Sequence, residues 1–272
     1  MQTVTEFSKS DTKRYWLVGG SEGIGLELVK LLLAENHQVV VSARNAESNH
    51  NLLSLQRQYP KTLMLLDCDV RQTDCLADKT HQAWSFFNGL DGWIYNAGVY
   101  HPMTLDEWDI AAFESMNQVN YLGAVHLMNL LLPYFKTKLK SKDLIESQSP
   151  PLWLWNISLA SDFGLPYGGG YSAPKAALQN LAESLKPELE QSGIELKVVN
   201  HGFVKTRLTA QNDFAMLGLM TPKDAAQKLL KALYSPNFES RFPFNLAFVL
   251  GLIKRLPKSW ALAITKRMLK NG

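Results

Sequence analysis

"RYWLVGGSEGIGLELVKLLLAE", residues 14–35, is the most telling stretch of this chain. Arg14–Val18 make an apolar run of strand length. Glycines at 19, 23 and 25 follow, and then apolar residues recur at helical spacing through Leu33. A strand, a tight turn and a helix in that order form a known anion device. Small residues let the backbone approach a pyrophosphate, and the helix N-terminus offers its amide donors. A plain glycine-rich turn would show the same local pattern, so the rest of the chain has to supply the context.

Working outward, five more apolar runs read as strands: "QVVVS" (38–42), "TLMLLD" (62–67), "GWIYN" (92–96), "LWLWNIS" (152–158) and "IELKVVN" (194–200). Between them lie helical stretches: a polar one through Tyr59, one up to about Phe87, and two long ones at 113–135 and 171–191. Continuously apolar strands alternating with helices predict an α/β fold with a parallel sheet covered on both faces. Right-handed crossovers then make the sheet doubly wound. The polar segment 140–151 reads as a surface loop rather than a boundary. The chain therefore divides into a short lead-in (1–13), one domain (14–239) and a C-terminal extension (240–272).

The composition fits that reading. The 272 residues are 46% apolar and 19% charged with a net charge of +3, the profile of a soluble globular protein. Cys68 and Cys75 are too few for a disulfide framework and predict free thiols in a reducing cytoplasm. The six histidines show no pairing suited to a metal, and residues 1–16 lack the apolar core of a signal peptide. No nucleic-acid partner is expected. Charge is unevenly spread: residues 240–272 hold seven Lys or Arg and no acid, leaving the remainder at −4.

Ligands of doubly wound sheets bind beyond the carboxyl ends of the strands. After the second strand, Ala43 and Arg44 stand where an acid would favour NAD; a cation there suits the 2′-phosphate of NADP. Beyond the third, Asp69 is set to meet an adenine amino group or to cap the next helix. "YNAG" (95–98) beyond the fourth offers Asn96, Ala97 and Gly98, suited to close approach to a ribose or to a turn. Tyr171 and Lys175, in "YSAPK", lie one helical turn apart if that segment is helical.

In order and approximate spacing, the G-x3-G-x-G, "DV" (69–70), "NAG" (96–98), "NIS" (156–158) and Y-x-x-x-K motifs resemble the short-chain dehydrogenase/reductase family over residues 14 to about 210. The resemblance implies a Rossmann-type fold and an NAD(P)-dependent oxidoreductase. Asn120, Ser158, Tyr171 and Lys175 would be its catalytic residues. Gly19, Ser21, Gly23, Ile24, Gly25, Arg44, Asp69, Val70, Asn96, Ala97, Gly98, Val204 and Thr206 would hold the cofactor, with help from Tyr171 and Lys175. Tyr171 would exchange the proton, its pKa brought from about 10 toward 7 by the Lys175 charge and the oxidised cofactor. Ser158 would hold the substrate oxygen and Asn120 a relay water. Pro174 is tolerated if it lies in the first helical turn.

Val18, Tyr95 and His201 depart from the family pattern without removing a reacting group. Arg44 favours NADP(H); Glu22, where NADP-preferring members often carry a cation, keeps NAD(H) open. An NAD(P)H-binding regulator on the same scaffold is the alternative to an enzyme. Phe203, Leu208, Phe214, Met216, Leu217, Leu219 and Met220 predict an apolar lid and hence a hydrophobic ketone, aldehyde or alcohol. The helices at 113–135 and 171–191 resemble those that form dimers or tetramers in the family. The C-terminal segment, apolar and basic but too short to span a bilayer, reads either as packed on the body, as a pocket wall or a subunit contact, or as a helix lying on a membrane surface.

Overall fold

A computed structural model describes residues 12–140, 149–212 and 216–269. Seven parallel strands form one sheet: β1 (Arg14–Val18), β2 (Gln38–Ala43), β3 (Leu63–Asp67), β4 (Gly92–Tyr95), β5 (Leu152–Asn156), β6 (Glu195–His201) and β7 (Glu239–Phe242), in the order β3-β2-β1-β4-β5-β6-β7. The order of the strands reverses at β1, which pairs with β2 on one side and β4 on the other, Val18 standing opposite Ser42 and Tyr95. The crevice at that reversal is where such sheets bind ligands.

Helices α1 (Gly23–Ala34), α2 (His50–Gln58) and α7 (Pro222–Tyr234) supply apolar residues to one face. Leu28, Leu32 and Leu229 there are fully buried against Leu17, Val39 and Val41. On the other face lie α3 (Leu76–Ser85), α4 (Ile110–Asn117), α5 (Gly123–Lys140) and α6 (Gly169–Gln191). The core on that side is aromatic: Trp16, Trp93, Trp153, Trp155 and Phe135 are all wholly buried. Edge-on packing of Trp93 with Trp153, at 5.4 Å between ring centroids, satisfies the quadrupoles of both. The two faces explain why the strands read as unbroken apolar runs.

A seventh strand, absent from the sequence-based strand set, spans the position at which a C-terminal extension was set apart. "ESRF" has no apolar run; its charged residues are accommodated because β7 is an edge strand pairing only with β6. Beyond it come α8 (Phe244–Arg255) and α9 (Lys258–Lys266). Leu246, Ala247, Leu250 and Ile253 of α8 pack on Leu159, Phe163 and Phe203, so the inner side of the tail is part of the fold. At the far end of the sheet, Asp91 joins β4 to Arg14 (2.8 Å) and to Lys138 of α5. Against the cost of burial, hydrogen bonds from both cations hold the Asp91 carboxyl well below the usual carboxylate range.

Candidate active site

The glycine turn follows directly from β1. Gly19 has φ +92°, and a Cβ there would stand 2.5 Å from the Ala97 nitrogen. A Cβ on Gly25 would stand 2.1 Å from the Gly19 carbonyl oxygen. Glycine is therefore required at both, for a left-handed backbone at one and for close helix–strand packing at the other. Asn96 fixes the turn to β4: its Nδ2 donates to the Gly19 carbonyl at 2.6 Å, and its Oδ1 accepts from Asn156 Nδ2 at 2.7 Å. Ser21 lies in the turn itself, whereas Ile24 points into the core.

The start of α1 suits an anion. Its N-cap residue, Glu22, makes no side-chain cap, and the first turn contains no acid. The Glu22 carboxylate instead accepts from Arg207 Nη2 at 2.8 Å, across from the segment after β6. Thr206 closes over the same turn, its methyl 3.2 Å from where a Gly23 Cβ would stand. Val204 is buried and paired with Met220, which also joins the core and does not line the pocket as the sequence reading expected. Leu217 and Leu219 are exposed, and Phe214 lies outside the described residues.

Arg44 and Asp69 meet in an open, polar cleft of about 560 Å³ at the ends of β2 and β3, which Lys79 also lines. Asp69 does not cap α3, whose N-cap is Cys75. Its carboxylate pairs with Arg71 at 2.6 Å, and hydrogen bonds from Arg71, with Arg44 nearby, lower its pKa. Val70 is buried against Gly123, Ala97 packs against the same core, and Gly98 lies next to Asn120 and Lys175. The glycines, the uncapped helix end and the polar cleft, where Arg44 and Lys79 stand beside Asp67 and Asp69, fit the pyrophosphate and adenosine portions of a dinucleotide.

The four catalytic candidates converge at the carboxyl ends of β4 and β5. Ser158, just beyond β5, hydrogen-bonds Tyr171 near the start of α6, and Lys175 Nζ is 5.8 Å from the Tyr171 ring centre. Lys175 Nζ donates to the Asn156 carbonyl at 3.2 Å. Asn120 belongs to a π-helical turn, Gln118–Leu122, between α4 and α5. Both ends of its amide engage the Val99 backbone at 2.9 Å. A Cβ on Gly98 would stand 3.4 Å from Asn120 Oδ1 and 3.9 Å from Lys175 Nζ, so the two groups approach each other above that glycine.

Burial governs the acidities of this cluster. Burial pushes the Tyr171 phenol up to about 12; the Ser158 hydrogen bond pulls the other way and Tyr100 reinforces the rise. Lys175, also buried, is pushed down to about 8. At neutral pH the protein's own groups thus hold a protonated phenol beside a mostly charged lysine. Pro174 departs from the expected position. Because α6 begins at Gly169, this proline lies beyond the first turn, where it removes a helical hydrogen bond to Gly170.

Several contributors escape sequence reasoning. Asn200 of β6 is wholly buried; its Oδ1 accepts from the Ser158 backbone N–H at 3.1 Å, and its Nδ2 donates to Gln179 at 2.9 Å and Glu239 at 2.6 Å. Glu239 in turn binds Arg241, which pairs with the buried Asp162. Tyr95 donates from its hydroxyl to the Val119 carbonyl at 2.6 Å, anchoring the turn that carries Asn120. Tyr100 packs edge-on against Tyr171 at 5.3 Å. Burial pushes the His201 imidazole down to about 4, so it is neutral at pH 7.

Comparison with known proteins bears on this geometry. The model of the family described as short chain dehydrogenase matches residues 13–215. An uncharacterized oxidoreductase of Myxococcus xanthus is 27% identical over 252 residues, covering 93% of this chain and 96% of its own length. The ketoacyl reductase HetN of Nostoc is 27% identical over 235 residues, 84% of this chain and 77% of that protein. A short chain dehydrogenase from Burkholderia cenocepacia in complex with NADP superposes with a TM-score of 0.77 at 19% identity, covering 96% of this chain and 99% of that one. One from Streptomyces avermitilis gives the same score and identity over 94% and 96%.

Proposed function

Because the chain belongs to the short chain dehydrogenase family, and is thereby an oxidoreductase of C–OH and C=O groups using NAD(P), we propose that it works with NADP(H) on a hydrophobic ketone, aldehyde or secondary alcohol. The observation that carries this is the convergence of Ser158, Tyr171 and Lys175 beside the glycine turn. When bound, the dinucleotide supplies or accepts the hydride. Tyr171, protonated at neutral pH, gives its proton to the carbonyl oxygen in the reducing direction. Ser158 orients that oxygen by a hydrogen bond. Lys175, on the other side of the phenol, favours its ionised form once the proton has left.

Three features support NADP(H) over NAD(H). Arg44 faces an open cleft, Lys79 adds a second cation to it, and no acid occupies position 43. Glu22, the reason for doubt, is already neutralised by Arg207. Substrate apolarity rests on the partly buried Phe163 and Phe203, which pack around Leu159 next to Ser158. Assembly as a dimer or tetramer through α4–α5 and α6 remains part of the reading, supported by the exposed apolar side chains of Ile110 and Leu122.

The test is NADPH oxidation against a panel of apolar ketones and aldehydes, with the Tyr171→Phe variant as control. Turnover should fall by about 10²–10⁴ in that variant while NADPH binding persists. Binding without turnover of any substrate in the wild type would favour the regulatory alternative. Undiminished turnover by Tyr171→Phe would remove the proposed proton path.

A further inference from the structure

Helices α8 and α9 have two sides. Ala261 and Thr265 of α9, with the inner residues of α8, are buried. The outer side of α8 carries Phe244 (81% exposed), Phe248 (62%) and Leu252 (52%), and one flank of α9 carries Trp260 (65%) and Ile264 (38%), each set at i, i+4 spacing. Phe244 and Phe248 stack on each other at 6.0 Å, one helical turn apart. Scattered exposed apolar residues are ordinary, but a row of them along two successive helices marks a surface meant to be covered. Arg255, Lys258, Lys266 and Arg267 are exposed around it, Lys254 beside them pairs with Asp162 at 3.6 Å, and no acid occurs from Ser240 onward.

We propose that the outer side of α8 and α9 docks on the surface of an anionic lipid bilayer. Charge decides between the occupants. An anionic bilayer complements both the apolar row and the cations around it. A second copy of the chain, joined through the same face by a two-fold axis, would set like charges against each other. Lying flat is the only arrangement open: among the described residues, no helix is long and apolar enough to cross a membrane. The inner side of α8 touches Leu159 and Phe203, neighbours of Ser158 and of the segment that closes over the glycine turn. Docking would therefore hold the catalytic cleft beside the lipid, the source of an apolar substrate. The inference about docking does not depend on the reaction.

The experiment is co-sedimentation of the full chain with vesicles of phosphatidylcholine containing about one-third phosphatidylserine, beside vesicles of phosphatidylcholine alone. Binding should be stronger to the anionic vesicles by about tenfold or more, and should fall in high salt. The double variant Phe248→Glu, Trp260→Glu should lose it while keeping its unfolding temperature, since both side chains point outward. Phe86→Glu, at an exposed aromatic residue elsewhere (40%), should bind as the wild type does. Failure to sediment with anionic vesicles at low salt, or sedimentation unchanged in the double variant, overturns the proposal. So does a dimer in size-exclusion chromatography that the double variant dissolves, which would assign the face to a second copy.

Discussion

Lys175 should cost the fold stability, and replacing it with methionine should show how much. Its side chain is 3% exposed, and burial lowers its pKa from the ordinary 10.5 to about 8. At ~1.4 kcal/mol for each tenfold change in proton affinity, this is a penalty of about 3 kcal/mol at neutral pH. Methionine keeps most of the apolar stem and carries no charge, but it gives up the hydrogen bond to the Asn156 carbonyl, which contributes about 1 kcal/mol. The variant should therefore be more stable than the wild type by about 2 kcal/mol at neutral pH, a rise of roughly 4–8 °C in Tm. The sign of the pH dependence follows from linkage. The unfolded lysine keeps its proton up to about 10.5, while the folded one releases it near 8. Between those values the unfolded state binds more protons, so wild-type stability rises with pH and the variant's does not. Near pH 9.5 the remaining penalty is about 1 kcal/mol, and the two proteins should be nearly equal. Urea unfolding followed by tryptophan fluorescence at both pH values measures this, and loss of turnover in the same variant would mark a residue kept for function. A Lys175→Met protein less stable than wild type at neutral pH, or a difference independent of pH, would refute the reasoning.

Arg44→Ala should weaken NADPH binding at least tenfold and leave NADH binding nearly unchanged, because only NADPH has a 2′-phosphate to pair; fluorescence titration with both nucleotides is the check, and equal losses would count against the NADP reading. Asn200→Ala should destabilise the protein by about 2–4 kcal/mol, since it strips partners from the Ser158 N–H, Gln179 and Glu239 at once, and a change under about 0.5 kcal/mol in urea unfolding would show that the network is idle. Gly25→Ala should abolish nucleotide binding and lower Tm, because the added methyl meets the Gly19 carbonyl, whereas Gly164→Ala, with open space around it, should behave as wild type.

The parts of the fold visible in the amino-acid pattern are those whose physics is local. Six strands are buried on both faces, so their residues are predominantly apolar, with β6 admitting Lys197 because its ammonium donates to the Leu233 carbonyl, and the glycine turn declares itself by spacing. β7 stays hidden because its Glu239 and Arg241 are satisfied by Asn200 and Asp162, partners dozens of residues away. The start of α6 is masked by "GGG", which reads as loop although Gly169 and Gly170 are helical; a Cβ on Gly170 would strike Met116 at 2.7 Å. Tyr171, Lys175, Ser158 and Asn120 are legible as a motif set, but their acidities are not. Those depend on how much water the fold removes, and Arg207 meeting Glu22 depends on how a distant loop returns.

The π-helical turn at Gln118–Leu122 has a bearing on how this chain tolerates insertion and deletion. An α-helix advances about 100° per residue, and the wide turn accommodates one residue beyond the α-helical count. The stretch from Ile110 to Lys140 is therefore written in two frames. Met116 faces the core in the first, while Leu127, Leu131 and Phe135 face it in the second. Removing any one residue from the wide turn would restore a uniform helix and force a choice: keep the downstream row buried and swing Met116 outward by about a quarter turn, or the reverse. Tyr95, whose hydroxyl holds the Val119 carbonyl, and Gly123, which leaves room for that hydroxyl, both serve the same phase shift. The orientation of Asn120 and the hydrophobic phase of the arm that carries it are thus a single inherited choice, which substitutions can tune but a deletion cannot preserve.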